Sequence, residues 1–202
     1  MAFFFINMYV CGIDEAGRGP LAGPVVVAGA VFDENERIEG VRDSKVLSAS
    51  NREMLFEKII SNATDYCIQV IGVEQIDKSD ILRATMLGMR NCIIKLNDKR
   101  KMKIFIDGNY FRFDDGFEKT VDYQTVIKGD SKIFSVSAAS ILAKVTRDRI
   151  MNIFDSFYPQ YNFRMNKGYP TKYHIAQIRK SGVCRIHREK FCRKFYDYET
   201  TF

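Results

Sequence analysis

No apolar run in this 202-residue sequence approaches the ~20 residues needed to cross a bilayer, so no membrane partner is expected. There is no internal repeat, low-complexity tract or linker-like segment, which excludes solenoid and tethered-module readings. The five cysteines (Cys11, Cys67, Cys92, Cys184, Cys192) are odd in number, irregularly spaced and free of any C-x-x-C pair. That pattern suits free thiols in a reducing cytosol and argues against a disulfide framework. The two histidines, His174 and His187, lack zinc-ligand spacing with any cysteine, so a structural or surface role is expected for them. No motif places an activating base beside a serine or cysteine nucleophile, and no G-x-x-x-x-G-K-[ST] loop is present. The run Phe3-Phe4-Phe5-Ile6 has no basic leader and reads as a first strand instead of a targeting signal; a cytoplasmic location is expected.

What is present is an ordinary globular composition, 46% hydrophobic and 28% charged, with enough chain for one full core. One domain over 1–202 is expected, with a core at about 7–160 and a helical extension at about 161–202 that is an appendage, not a second core. A formal charge of +6 and a pI near 9.0 lean toward a polyanionic partner.

Met8–Ile13 and the β-branched run Pro24–Phe32 read as neighbouring central strands, the second buried on both faces. Ser50-Asn51-Arg52-Glu53 has the form of a capping box ahead of an amphipathic helix. A strand over Cys67–Val73, a helix over Asp77–Leu96, strands over Met102–Ile106 and Val121–Ile127, a long helix from Ser137 to about Phe157 and a short one over Tyr173–Lys180 follow. Ser137 and Ser140 are expected in the first turn of the long helix. Strands followed by alternating helices and strands indicate an α/β layered domain.

The chemistry concentrates in Gly12-Ile13-Asp14-Glu15-Ala16-Gly17-Arg18-Gly19, where an adjacent acidic pair ends an apolar run and opens into glycines. Asp107 and Asp130 likewise follow apolar segments and adjoin a glycine. Singly, such aspartates cap turns. Converging at the strand ends of one sheet, four carboxylates would repel one another unless cations neutralised them. Two Mg²⁺ ions would do so and would suit phosphodiester hydrolysis, one generating hydroxide and the other stabilising the leaving oxygen. Because successive strand residues face opposite ways, the strand is expected to end or distort at Glu15. Gly17-x-Gly19-x-x-Ala22 nominally fits a dinucleotide fingerprint. The strand that follows it, the internal Pro20 and the acidic pair before it argue against that reading.

The segments GIDEAGRGPLAGPVV, Arg42-Asp43-Ser44-Lys45, Ile106-Asp107-Gly108, Lys128-Gly129-Asp130-Ser131, SAASILAKVTRDR and Gly168-Tyr169-Pro170-Thr171 together resemble the type 2 ribonucleases H, specifically the bacterial ribonuclease HII family, from Tyr9 to about His187. The resemblance implies a ribonuclease H-like fold with a central mixed β-sheet flanked by helices. It also implies a catalytic and metal-binding set of Asp14, Glu15, Asp107 and Asp130 around two Mg²⁺ or Mn²⁺ ions, with Asp14 bridging both. The implied reaction is hydrolysis of the RNA strand of RNA/DNA hybrids and incision on the 5′ side of ribonucleotides embedded in duplex DNA, leaving 3′-hydroxyl and 5′-phosphate ends, in ribonucleotide and primer removal.

Gly17, Arg18 and Gly19 match the family's Gly-Arg-Gly element, whose backbone groups can meet a 2′-hydroxyl where no side chain blocks the approach. Tyr169 matches the tyrosine that packs on the sugar next to the ribonucleotide, and Lys45 is a candidate phosphate contact. Lys144 and Asp148 have the i,i+4 spacing of a helix-surface pair. Arg185–Lys194 reads either as a track for duplex phosphates or as an amphipathic tail helix, and the role of Arg147 is open. A monomer is expected, and sliding-clamp association is undetermined, with no clamp motif evident at Tyr196–Phe202. The alternatives are ribonuclease HIII, which in that family carries an additional N-terminal domain, a catalytically idle binding module on the same fold, and a DNA nuclease indifferent to the 2′-hydroxyl.

Overall fold

A computed structural model describes residues 8–42, 44–97 and 102–195. The Phe3–Ile6 run, Asp43 and the Tyr196–Phe202 tail lie outside the described residues. Five strands form one mixed sheet in the order β3-β2-β1-β4-β5: β1 (Tyr9–Ala16), β2 (Val25–Asp33), β3 (Asp65–Ile71), β4 (Met102–Asp107) and β5 (Tyr123–Val126). β1 pairs antiparallel with β2, and β2 with β3, whereas β4 runs parallel to both β1 and β5.

The β2 sequence is apolar from Val25 to Phe32 because helices cover both faces of the sheet. Val26, Ala28, Ala30 and Phe32 pack with Leu55, Phe56 and Ile59 of α1 (Ala49–Asn62) and with Ala138, Ala139 and Leu142 of α4 (Phe134–Phe157). Val27 and Val31, together with Cys11 and Ile13 of β1, pack against Met86, Met89, Cys92, Ile93 and Leu96 of α3 (Ile81–Leu96). Helix α4 crosses β1 at Gly12, where a Cβ would lie 2.1–2.3 Å from the backbone of Ser135 and Val136. Glycine here is therefore a requirement of helix-on-strand contact.

Several boundaries differ from the sequence reading for local reasons. The helix expected over Asp77–Leu96 is two: α2 (Val73–Lys78), then α3, whose N-cap Asp80 accepts the amide of Arg83 at 2.9 Å. A capping aspartate outcompetes helix continuation. Helix α1 is capped by Ser48, which accepts the Asn51 amide at 3.2 Å, so Ser50 is inside the helix and the cap lies two residues before the expected one. Helix α4 begins at Phe134, which puts Ser137 at its fourth residue and Ser140 in its second turn, not in the first turn.

Beyond α4, three short helices, α5 (Phe163–Asn166), α6 (Lys172–Ser181) and α7 (Glu189–Cys192), gather an apolar cluster of Tyr161, Phe163, Ile178, Ile186 and Cys192. Leu21 and Ala22 of the glycine-rich loop belong to the same cluster, so the C-terminal segment is packed directly behind that loop.

Candidate active site

A cleft of about 280 Å³ opens at the end of β1 and is lined by Asp14, Glu15, Gly17, Arg18, Gly19, Lys45, Asp107, Ser140, Lys144 and Tyr169 among others. Its position follows from the sheet. The β1–β4 ladder stops at Ile13↔Ile106, and β4 ends at Asp107, while β1 stays paired with β2 through Ala16↔Val26. The strand thus neither ends nor distorts at Glu15, contrary to the sequence expectation. By alternation Asp14 belongs to the α4 face and Glu15 to the α3 face, and both line the one cleft, at positions of β1 that lie past its ladder with β4.

Asp14 is 4% exposed and accepts the Glu15 amide at 2.7 Å and a hydrogen bond from the Ser140 hydroxyl. Ser140 in turn lies 2.9 Å from Ser44. Asp107, half-buried at the tip of β4, accepts the Gly129 amide at 2.7 Å. Asp130 is on a 3₁₀ turn, Gly129–Ser131, four residues past the end of β5, and not on the strand itself. The Ser137 hydroxyl donates to the Asp130 carbonyl at 2.7 Å, and this pins the turn to the start of α4.

One carboxylate oxygen from each of Asp14, Asp107 and Asp130 comes within 4.8 Å of the others. Glu15 is outside that trio and is bridged to Arg18 at 3.3 Å. Burial, then the charges of Glu15 and Asp107, hold the Asp14 carboxyl well above the usual carboxylate range. Burial also raises Glu15, opposed by Arg18 and reinforced by Asp107. Buried carboxylates that repel one another fit a hard divalent cation by donor type and by spacing. Lys45 reaches into this group: its ammonium is 2.5 Å from Asp130 Oδ2 although its side chain is 74% exposed.

The opposite wall is the loop after β1. Gly17 has φ +100°, and a Cβ there would lie 2.1 Å from Nε of Arg147. The fold itself demands that glycine. At Gly19 a Cβ would meet only the Tyr169 ring, at an ordinary 3.8 Å, so packing does not require glycine at this exposed position. Tyr169 stands beside it, 42% exposed, with the Arg147 guanidinium 5.8 Å from its ring centroid.

Two arginines that the sequence did not place here hold this wall. Arg147, on α4, donates to the carbonyls of Pro24 at 3.0 Å, Lys167 at 2.9 Å and Ala22 at 3.1 Å. Arg188 donates to those of Gly23 at 2.9 Å, Arg18 at 2.9 Å and Gly17 at 2.6 Å. Both are essentially inaccessible, and among the described residues neither has an ion-pair partner. Burial and then the charge of Arg147 push the Arg188 guanidinium down to about 9, which leaves it a cation at neutral pH. A signal for Arg147 was available: Ala139, Ala143, Arg147 and Met151 recur every four residues along one buried stripe of α4.

Arg188 also corrects the reading of Arg185–Lys194. That stretch is a four-residue helix and a 3₁₀ turn, and Arg188 is turned inward to the loop instead of outward to phosphate. Lys144 and Asp148 form the expected i,i+4 pair at 2.6 Å, on the cleft rim. His174 and His187 are buried and in mutual contact, structural in placement.

A mixed sheet with acidic residues gathered beside its central strands, flanked by helices, defines a ribonuclease H-like nuclease. Solved structures agree on the fold: the chain is similar to the ribonuclease H2 of Pyrococcus horikoshii (TM-score 0.72, 31% identity, 93% of this chain and 97% of that one). It is also similar to the ribonuclease HII of Archaeoglobus fulgidus solved in complex with PCNA (TM-score 0.76, 24% identity, 90% and 93%). The sequence model of the ribonuclease HII family matches residues 11–194, and a ribonuclease HII of Pelodictyon phaeoclathratiforme is 47% identical over 187 residues, covering 90% of this chain and 88% of that one. The chain belongs to the ribonuclease HII family, endonucleases that hydrolyse RNA in RNA/DNA hybrids. The family is metal-dependent, and no helix among the described residues is long and apolar enough to cross a membrane.

Proposed function

We propose that this cleft hydrolyses the phosphodiester on the 5′ side of a ribonucleotide, in RNA/DNA hybrids and at ribonucleotides embedded in duplex DNA, leaving 3′-hydroxyl and 5′-phosphate ends. The observation that carries the reading is the gathering of Asp14, Asp107 and Asp130 within 4.8 Å, at a cleft that Asp14 and Asp107 line together with Gly19, which is free of any packing requirement. Two divalent ions, Mg²⁺ or Mn²⁺, held by Asp14, Glu15, Asp107 and Asp130 would supply charge neutralisation and water activation for an in-line displacement.

The protein's own groups divide the remaining work. Asp14 is central among the carboxylates and is oriented by the Glu15 amide and the Ser140 hydroxyl. Gly17, Arg18 and Gly19 present backbone to the ribose. Arg188 already engages the carbonyls of Gly17 and Arg18, and each carbonyl keeps a second lone pair for a 2′-hydroxyl proton. Buried Arg147 and Arg188 set two positive charges behind the loop, which favours the approach of a phosphate-bearing strand. Lys45 transfers from Asp130 to a substrate phosphate once the carboxylates are otherwise neutralised, and Tyr169 packs on the neighbouring sugar. The chain acts as one nuclease unit with a C-terminal extension, as a cytoplasmic monomer.

Mapping the ends produced from a duplex carrying one ribonucleotide tests the reading. Incision immediately 5′ of that residue, dependent on Mg²⁺ or Mn²⁺ and leaving a 5′-phosphate, is expected. Cleavage on its 3′ side, or equal cleavage throughout the DNA, would overturn it.

A further inference from the structure

Below Tyr169 a chain of hydrogen bonds runs through both histidines. The Cys184 amide donates to Nδ1 of His187 at 2.9 Å, and the Cys184 thiol lies 3.1 Å from the same nitrogen. Nδ1 of His187 is therefore an acceptor. The Cys184 carbonyl, 3.3 Å from that nitrogen, already accepts the His187 amide at 2.9 Å. A neutral His187 must then carry its proton on Nε2, which is 3.0 Å from Nε2 of His174. That proton makes Nε2 of His174 the acceptor and assigns the His174 proton to Nδ1, 2.9 Å from the carbonyl of Tyr169. Each ring nitrogen in the chain then has a partner of the right kind, and no other assignment of neutral tautomers satisfies all of them.

The far end of the relay is well anchored. The Tyr169 carbonyl also accepts the Thr171 amide at 2.8 Å, and the Gly168 carbonyl accepts the amide of Leu21, from the glycine loop, at 2.8 Å. His187 is bridged to Ala22 of that loop, and the next residue is Arg188, which holds Gly17 and Arg18. Adjacent residues thus reach the two halves of one cradle, His187 toward Tyr169 and Arg188 toward the loop.

We infer that His174 and His187 are positioning residues: a neutral imidazole relay of fixed tautomers that sets the Tyr169 backbone, and with it the ring, against Gly19. The inference rests on the reading of Tyr169 as a sugar contact. The surroundings keep the relay uncharged. The rings of Tyr161 and Phe163 wall it, with centroids 4.7 Å from His187 and 5.4 Å from His174 respectively. The titratable groups that face it are the Tyr161 phenol and the Cys184 thiol, and burial raises both, the thiol to about 11. Burial lowers both imidazoles, His187 to about 4 with His174 adding to the effect. Protonating His174 would set two N–H groups head to head at 3.0 Å, and protonating His187 would set its Nδ1–H against the Cys184 N–H at 2.9 Å.

Two measurements test the inference. Imidazole ¹⁵N spectra of the intact protein at pH 7 should show His174 protonated at Nδ1 only and His187 at Nε2 only. The reverse tautomers, or either ring charged, overturn the relay whatever Tyr169 does. In cleavage assays, His187→Leu should lower kcat/KM on a single-ribonucleotide duplex by about tenfold, because small misplacements of a contact group are costly. His187→Gln, which keeps a donor near the Nε2 position, should restore most of it. In a Tyr169→Ala background the His187→Leu loss should disappear. Full additivity with Tyr169→Ala would overturn the positioning role alone. A Tyr169→Ala enzyme that cleaves the junction normally would instead overturn the tyrosine reading beneath it. Should His187→Leu fail to fold, the tautomer spectra and the His187→Gln comparison still decide the matter.

Discussion

The two walls of the cleft solve opposite electrostatic problems. On one, Asp14, Asp107 and Asp130 crowd three acidic groups together, two of them buried, and the Asp14 carboxyl is raised by burial and by its acidic neighbours. On the other, two buried cations are met by six backbone carbonyls, and the histidine pair is satisfied from end to end. The first wall has the donor set of a cation site. The second is already in its working shape. On the proposed reading, the first wall carries the chemistry with cations neutralising it, whereas the second wall, satisfied by the fold, makes the substrate choice.

The largest expected effect is at the acidic wall. Asp14→Asn should lower turnover by about 10³-fold, a loss of ~4 kcal/mol of transition-state stabilisation. It should also raise the thermal midpoint of the metal-free protein by about 2–4 °C, the shift that ~1 kcal/mol produces in a chain of this size. The sign follows from the raised carboxyl: its contribution to stability is complete below the unfolded-state pKa and is lost as pH rises through the higher folded-state value. The advantage of Asp14→Asn over the parent protein should therefore grow from acid toward neutral pH. A variant less stable than the parent at neutral pH without metal would mean that this wall is not frustrated. Asp130→Asn, at the same wall, should bind substrate normally and lose at least about 10²-fold in turnover.

The preorganised wall should respond the other way. Arg188→Met strands the carbonyls of Gly17, Arg18 and Gly23, and urea unfolding should register a loss of about 3 kcal/mol. A neutral result there would erase the contrast between the walls.

Gly19→Ala separates folding from function within the same loop. Its Cβ meets only the Tyr169 ring at 3.8 Å, so stability should stay within about 0.5 kcal/mol of the parent, while cleavage at a ribonucleotide falls about 30-fold because the methyl stands where the sugar approaches. Gly17→Ala should instead destabilise the protein, since its backbone is left-handed and the Arg147 side chain fills the space. Similar outcomes for the two would show that Gly19 is a packing glycine after all.

The smallest expected effect is electrostatic. Duplex binding should weaken with salt at a log–log slope of about −4 to −5, and Lys45→Gln should reduce that slope by ~1. An unchanged slope would remove Lys45 from the phosphate contacts.

The carboxylates were legible in the sequence because strand ends are: an apolar run closed by Asp14-Glu15, or by Asp107-Gly108, announces where the parallel β1–β4 pair delivers its side chains. Asp130 was legible for a less direct reason, since it comes from a 3₁₀ turn and reaches the site only because α4 starts immediately after it. The double covering of β2 was plain from its unbroken apolar run. The reach of Glu15 was not, because it depends on β4 being shorter than β1, a property of pairing and not of either strand alone. Arg147 and Arg188 escaped because buried arginines satisfied by carbonyls leave no partner residue in the sequence, and the histidine relay escaped because His174 and His187 meet only in three dimensions.

The most direct test pairs two duplexes identical except at one position, ribonucleotide in the first and deoxyribonucleotide in the second, with binding and cleavage measured on both. On the proposed reading phosphate contacts position both duplexes alike and only the 2′-hydroxyl distinguishes them at the loop, so binding should be nearly equal while cleavage of the all-deoxy duplex nearly vanishes. Comparable cleavage of the two would contradict the account, because the glycine loop would then be choosing nothing.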